Sequence, residues 1–177
     1  MGNSASLNAE GMTLYRAGRF EDAAALFADA QAAFDTAGDL RAAAEAANNR
    51  GMAWLQAARW NEAEAAFQEA RRMFQSFADV RGEGQVLGNL AALADSAGDV
   101  GQAAAYYSEA IDLLESVNEH DLAQATYTAL SRLKLKQGDW LGAIQAFEVG
   151  LEQLEHPTVT QRLARKLLDT PRKLTGG

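Results

Sequence analysis

The stretch Gly98-Asp99-Val100-Gly101-Gln102-Ala103-Ala104-Ala105-Tyr106-Tyr107-Ser108-Glu109-Ala110 decides the fold, because the chain repeats its pattern four times. Each copy opens with a small residue, a polar residue and a large apolar residue, and then continues with an Ala, an aromatic residue and a small residue. The four copies begin at residues 18, 58, 98 and 138, so the period is constant at 40 residues. A fixed period in this range is typical of repeat arrays, in which each unit packs on its neighbours.

Apolar residues at helical spacing fill the intervals between these copies and predict two antiparallel helices in each repeat. After the first repeat, the helix pairs are expected at about 40–57 with 60–77, 80–97 with 100–117, and 121–137 with 140–155. Val159, Leu163 and Leu167 predict one further short helix. We therefore divide the chain into a four-repeat array at 1–156 (units at about 5–39, 40–79, 80–119 and 120–156), a capping helix at 157–170 and a frayed tail at 171–177.

The repeated positions resemble the tetratricopeptide repeat family over about residues 5–156. The first helices carry small residues at Gly11, Gly51 and Ala91, and the second helices carry them at Ala23, Ala63, Ala103 and Ala143. The turn contains Gly18, Gly98 and Gly138, and the aromatic residue after it is Phe20, Trp60 or Trp140. Ser131 and Val100 depart from the pattern. The resemblance implies an all-α fold, a right-handed α-solenoid of four helix–turn–helix repeats with a C-terminal capping helix. The period is similar to that of the long-repeat branch of peptide-binding cell-polarity adaptors.

In this family the first helices line a concave groove and the second helices form the convex back. The resemblance therefore implies a peptide-binding groove, which we carry over position by position. Its predicted residues are Asn8, Met12, Tyr15, Arg16, Glu45, Asn48, Asn49, Met52, Gln56, Gln85, Gly88, Asn89, Ala92, Asp95, Thr128, Arg132 and Lys136.

Two features of this set bear on recognition. Asn49 and Asn89 are equivalent residues, and a carboxamide can both donate to and accept from a peptide backbone; alternatively, these amides bridge neighbouring helices. Gly82, Gly84 and Gly88 crowd the start of the fifth helix. Either helices approach closely there, or the helix start is frayed, or, at Gly88, the glycines leave a hollow for a ligand side chain. The Gly pattern is not a phosphate loop, since it lacks the spacing, the preceding strand and the Lys.

Charge gives two further expectations. The groove changes sign from Glu45 and Asp95 toward Arg132 and Lys136, which suits an extended partner that is basic and then acidic. Equivalent positions one repeat apart hold Glu10 and Arg50, for which we expect a cross-repeat ion pair of little energetic weight.

Composition argues against catalysis and against several partner classes. The chain has no Cys and only two His, His120 and His156, so we expect no catalytic residues, no metal site and no cofactor. Residues 1–120 carry a net charge of −10 and residues 121–177 one of +2, which disfavours nucleic acid. No apolar run approaches the ~18 residues of a membrane span. Met1 to Ser6 match the N-myristoylation pattern, although Asn3, Ser4 or Ser6 equally suits a helix cap.

These observations predict a non-enzymatic scaffold or adaptor that binds an extended peptide or a partner helix in the groove. The expected setting is cytoplasmic, and the Ala- and Arg-rich usage suggests a bacterial source. The alternative is a self-associating structural module that forms a homo-oligomer through its ends or its convex face. Phe77, Tyr106, Val117 and the terminal helix are the contacts expected in that case.

Overall fold

Eight α-helices make up residues 2–152, the part of the chain that the computed structural model describes. They are α1 (Gly2–Arg16), α2 (Phe20–Ala37), α3 (Leu40–Gln56), α4 (Trp60–Ser76), α5 (Val80–Ala97), α6 (Val100–Ser116), α7 (His120–Lys136) and α8 (Trp140–Glu152). No strand occurs within this range, so the predicted all-α class and the four helix pairs are confirmed. The predicted capping helix and the frayed tail lie outside the described residues.

Each turn between two helices contains one residue with a left-handed backbone, and these residues recur every 20 positions. They are Gly18, Gly38, Gly98 and Gly138, with φ of 77°, 75°, 82° and 78°, and Ala58, Ala78 and Asn118, with φ of 56°, 55° and 58°. Glycine adopts this conformation without a Cβ clash, whereas Ala pays about 1–2 kcal/mol for it. The joint within a repeat and the joint between repeats therefore share one backbone geometry.

The residue after each left-handed position is the N-cap of the next helix, and at four of these places it is an Asp whose side chain caps that helix. The backbone N–H groups of Ala42, Gly82, Gln102 and Gly142 donate to the carboxylates of Asp39, Asp79, Asp99 and Asp139 at 2.9–3.1 Å. Such a bond satisfies one of the free N–H groups of the first turn. Arg19, Arg59 and Glu119 hold the equivalent places before α2, α4 and α7 without a side-chain cap bond.

Small residues on first helices allow close packing against buried aromatic rings of second helices. A Cβ added to Gly11 would lie 2.9 Å from the ring of Phe27, and one added to Gly51 would lie 2.5 Å from the ring of Phe67. Both rings are fully buried. In the fourth repeat this position holds Ser131, whose buried hydroxyl donates to the carbonyl of Ala143 at 2.8 Å. The departure from Gly or Ala is thus satisfied by a hydrogen bond.

Side-chain bridges also join corresponding helices of neighbouring repeats. Gln31 on α2 donates to Glu69 on α4 at 2.7 Å, and Arg71 on α4 pairs with Glu109 on α6. The two partners of each bridge are 38 residues apart, two residues fewer than the 40-residue repeat. The bridges fix the register of the stack.

Arg50 contributes to packing inside its own repeat and not between repeats. Its guanidinium donates to Oε2 of Glu69 at 2.5 Å. The predicted ion pair of Arg50 with Glu10 is therefore wrong, because the half-buried Arg50 reaches the carboxylate of α4 while Glu10 stays exposed. Burial opposes the ionisation of Glu69, but hydrogen bonds from Gln31 and Arg50 outweigh it and lower the pKa of the carboxyl.

None of the described helices combines the length and the apolar character that crossing a membrane requires.

Candidate functional site

A hollow of about 630 Å³ opens on the face formed by α3, α5 and α7, and we call it the central hollow. Eight of the predicted groove residues line it: Glu45, Asn48, Asn49, Met52, Gln85, Gly88, Asn89 and Ala92. The other lining residues are Arg81, Gly84, Tyr107, Leu114, Leu122, Ala125, Thr126 and Ala129. The structure thus brings the middle of the predicted groove together in one concave site.

The Asn residues around this site bridge neighbouring first helices. The carboxamide of Asn49 on α3 donates to that of Asn8 on α1 at 3.4 Å, and Asn89 on α5 donates to Asn48 on α3 at 2.8 Å. All four side chains are half-buried. Of the two interpretations left open by the sequence, these contacts match the bridging of helices. Each amide still keeps a hydrogen-bonding group that the bridge does not use.

The next bridge in this series is missing, because Gly88 and Ala129 occupy the two positions where it would form. Residue 88 is equivalent to Asn48, and residue 129 is equivalent to Asn89. A Cβ added to Gly88 would meet no atom within 4 Å. Gly82 and Gly84 differ, since a Cβ on either would collide with Phe74 or Leu114. Close helix approach therefore explains Gly82 and Gly84, whereas Gly88 borders open space.

Ion pairs hold α5 and α7 together on both sides of this gap. Arg81, in the first turn of α5, contacts Glu119 at 2.9 Å, immediately before α7. Lys136 at the end of α7 contacts Asp95 near the end of α5 at 2.6 Å. The two helices are thus tied at both ends and open in the middle. The Asp95–Lys136 pair also neutralises two of the charges from which the sequence predicted a change of sign along the groove.

The floor of the central hollow is apolar and comes partly from α6. Tyr107 is 6% exposed and Leu114 is 1% exposed. Burial, aided by the charge of Asp95, raises the pKa of the Tyr107 phenol, so the group is neutral at physiological pH. Both residues therefore contribute uncharged, largely buried surface to the lining of the hollow.

The remaining predicted groove residues lie away from the central hollow. Met12 and Tyr15 pack against the core of the first repeat, and Arg16 and Gln56 are exposed near the ends of α1 and α3. Thr128 and Arg132 line a separate hollow of about 370 Å³. That hollow is walled mainly by apolar residues of α7 and α8, namely Leu135, Ala143, Ile144 and Phe147.

Sequence reasoning missed the wall that α7 contributes. Leu122, Ala125, Thr126 and Ala129 lie at i, i+3, i+4 and i+7 on one flank of α7. Ala125 and Ala129 are equivalent to Gln85 and Asn89, which the prediction included for α5. The same equivalence between repeats, extended from α5 to α7, would have identified both residues. Their small apolar side chains, however, carry no group that indicates binding.

No group of three or more His, Asp or Glu residues within residues 2–152 is placed to hold a metal ion. The charged lining residues are Glu45 and Arg81, which stand on different helices. The chemistry that the site offers is therefore apolar contact on the floor and hydrogen bonding at the rim.

Comparison with known families gives one match. Residues 42–116 match the sequence model of a family described as tetratricopeptide repeat. The matched range runs from α3 to the end of α6 and includes most of the polar rim of the central hollow. No curated protein matches the chain.

Solved structures share the fold at low sequence identity. BtubC (BKLC) from P. vanneervenii is 21% identical over 88% of this chain, with a TM-score of 0.73. Aspartyl phosphate phosphatase F from Bacillus subtilis is 15% identical over 94%, with a TM-score of 0.82. The Rap conjugation gene regulator of plasmid pLS20, solved with the Phr* peptide, is 16% identical over 98%, with a TM-score of 0.75. The chain spans 66%, 44% and 53% of these three structures.

Proposed function

We propose that this chain, whose residues 42–116 match the tetratricopeptide repeat family model, is a protein-interaction scaffold that binds a segment of a partner on the face formed by α3, α5 and α7. One large side chain of that segment enters the central hollow beside Gly88. The proposal assigns no catalytic step to the chain, and the phosphatase activity in the name of one similar structure belongs to that protein.

The observation that carries the proposal is the gap in the series of Asn bridges. The first two steps of the array close the space between first helices with a pair of amides, whereas the third leaves it open at Gly88 and Ala129. Gly in a helix interior costs about 1 kcal/mol relative to Ala, so Gly88 is unfavourable for the helix itself. A concave site with an apolar floor and a polar rim is the usual form of a ligand pocket.

The partner segment is an extended peptide or a helix, as the sequence suggested. Asn48 and Asn89 already bond each other, so they have less capacity to read a peptide backbone than free amides would. Insertion of a side chain is therefore the mode that the site favours. A structure of the same fold was solved with a peptide, which agrees with a peptide partner.

A matched pair of double variants tests the proposal. Gly88→Asn with Ala129→Asn supplies the missing amide bridge and fills the central hollow. Gly101→Asn with Ala105→Asn makes the same substitutions at exposed positions of α6. Proteins captured from a bacterial lysate by the unaltered chain should be lost with the first double variant and kept with the second. Equal capture by all three baits would exclude the central hollow as the binding site.

Self-association is the second candidate, and exposed apolar residues at the far end of the described chain favour it. Trp140 is 68% exposed and Leu141 is 77% exposed. Of the contacts named from the sequence, Val117 is exposed, whereas Phe77 and Tyr106 are partly buried against the core. Sedimentation of the full chain over a range of concentrations distinguishes this candidate, since it predicts a mass that grows with concentration.

A further inference from the structure

The charged groups at the rim of the central hollow leave one negative charge uncompensated. Glu45 on α3 is exposed and makes no hydrogen bond or ion pair with any described residue. Arg81 is the one cation among the lining residues, and its guanidinium is engaged by Glu119 at 2.9 Å. Glu45 therefore offers a partner a carboxylate that no described residue neutralises.

The apolar part of the hollow disfavours a charged anchor. Ala92, Leu122 and Ala129 supply apolar surface, and the buried Tyr107 and Leu114 carry no charge. Moving an ionised group from water into such surroundings without a partner is strongly unfavourable. The space beside Gly88 therefore suits a large apolar side chain, such as an aromatic residue, Leu or Met.

We infer that the partner segment carries a large apolar residue with a Lys or Arg close to it in sequence, and that this basic residue pairs with Glu45. The inference rests on the proposed function and adds the chemistry of the partner to it. The apolar residue anchors the segment between α5 and α7, and the basic residue selects among apolar peptides. Acidic peptides are disfavoured because they would place like charge beside Glu45.

Random-peptide display on the full chain, with the Gly88→Asn/Ala129→Asn variant as counter-selection, supplies the probes. Peptides that survive should share one large apolar residue and a neighbouring Lys or Arg. Their synthetic, fluorescently labelled forms can then be titrated by polarisation. Filling the hollow should weaken binding by at least about ten-fold, since buried anchors dominate binding energy.

The role of Glu45 is isolated by its own variant and a matched control. Glu45→Gln should weaken the basic peptides about three-fold, as expected for a rim ion pair, and leave apolar peptides without the basic residue unchanged. Glu10→Gln removes the same charge from an exposed site on α1 outside the hollow and should have no effect.

The outcomes separate the inference from the proposed function. Peptides that depend on Gly88 and Ala129 but carry no basic residue, or bind equally well to Glu45→Gln, overturn the inference and leave the proposed function standing. Failure to enrich any peptide over the counter-selection overturns both. A loss of the basic preference with Glu10→Gln as well would assign the effect to net charge and also overturn the role of Glu45.

Discussion

Gly51 and Gly88 form a matched pair for substitution by Ala, because both lie inside long helices and differ in the space around them. They belong to helices of 17 and 18 residues. A Cβ at residue 51 would lie 2.5 Å from two atoms of the Phe67 ring, whereas one at residue 88 would contact nothing within 4 Å. The same chemical change should therefore shift the free energy of unfolding in opposite directions.

The magnitudes follow from helix propensity and packing. Ala is favoured over Gly in a helix interior by about 0.8–1.0 kcal/mol, so Gly88→Ala should raise the free energy of unfolding by about that amount. Gly51→Ala gains the same propensity but forces the buried ring of Phe67 to move, and overpacking of this kind costs about 1–3 kcal/mol or more. We expect a net loss of up to about 2 kcal/mol, and the overpacking cost of about 1–3 kcal/mol separates the two variants.

Urea titration followed by circular dichroism at a helical wavelength measures both values. Thermal scans give a second readout, since about 1 kcal/mol corresponds to about 2–4 °C in a chain of this size. Gly88→Ala less stable than the unaltered chain would mean that the space beside residue 88 is already filled, and the binding proposal would lose its basis. Equal stabilisation by both substitutions would refute the packing argument for Gly51.

Three further predictions concern turns, bridges and pH. Ala58→Gly should raise the free energy of unfolding by about 1 kcal/mol in a urea titration, because φ of 56° strains Ala; a loss would contradict this strain. A double-mutant cycle of Asn48→Ala and Asn89→Ala should give a coupling of about 0.5–1.5 kcal/mol, and zero coupling would remove the bridge. Glu69 has a lowered pKa, so its contribution to stability is present above the pKa of the unfolded chain and disappears as the pH falls through that of the folded chain. Glu69→Gln should therefore flatten the acid limb of the stability profile, whereas Glu64→Gln, at an exposed site on the same helix, should not.

The helix positions could be predicted because the sequence marks most of the joints with residues that favour turns. Gly18, Gly98 and Gly138 signal a left-handed backbone directly. The recurrence of a left-handed residue every 20 positions could not be predicted in full, because Ala58 and Ala78 adopt this backbone although Ala does not favour it. Both residues stand in the turn between two helices, and no turn-favouring residue marks these positions in the sequence.

The site was predicted only in part, because its contacts depend on how neighbouring helices face each other. Equivalence between repeats predicted that Asn49, Gly88 and Asn89 share one face, and all three line the central hollow. It did not reveal that the amides bond one another, or that Asp95 and Lys136 form an ion pair. Both facts require the distance between two first helices, which follows from side chains packed elsewhere in the stack.

Joints of one backbone geometry recur every 20 residues, so the length of the array can change in whole units. Two cuts one 40-residue repeat apart would excise one helix pair and keep the alternation of first and second helices, whereas removal of 20 residues would take out a single helix and break it. A single residue inserted inside a helix is a larger disturbance, because it turns everything beyond it by about 100° and misdirects every later bridge. We therefore expect the array to accept the gain or loss of a whole repeat more readily than the insertion of a single residue in a helix.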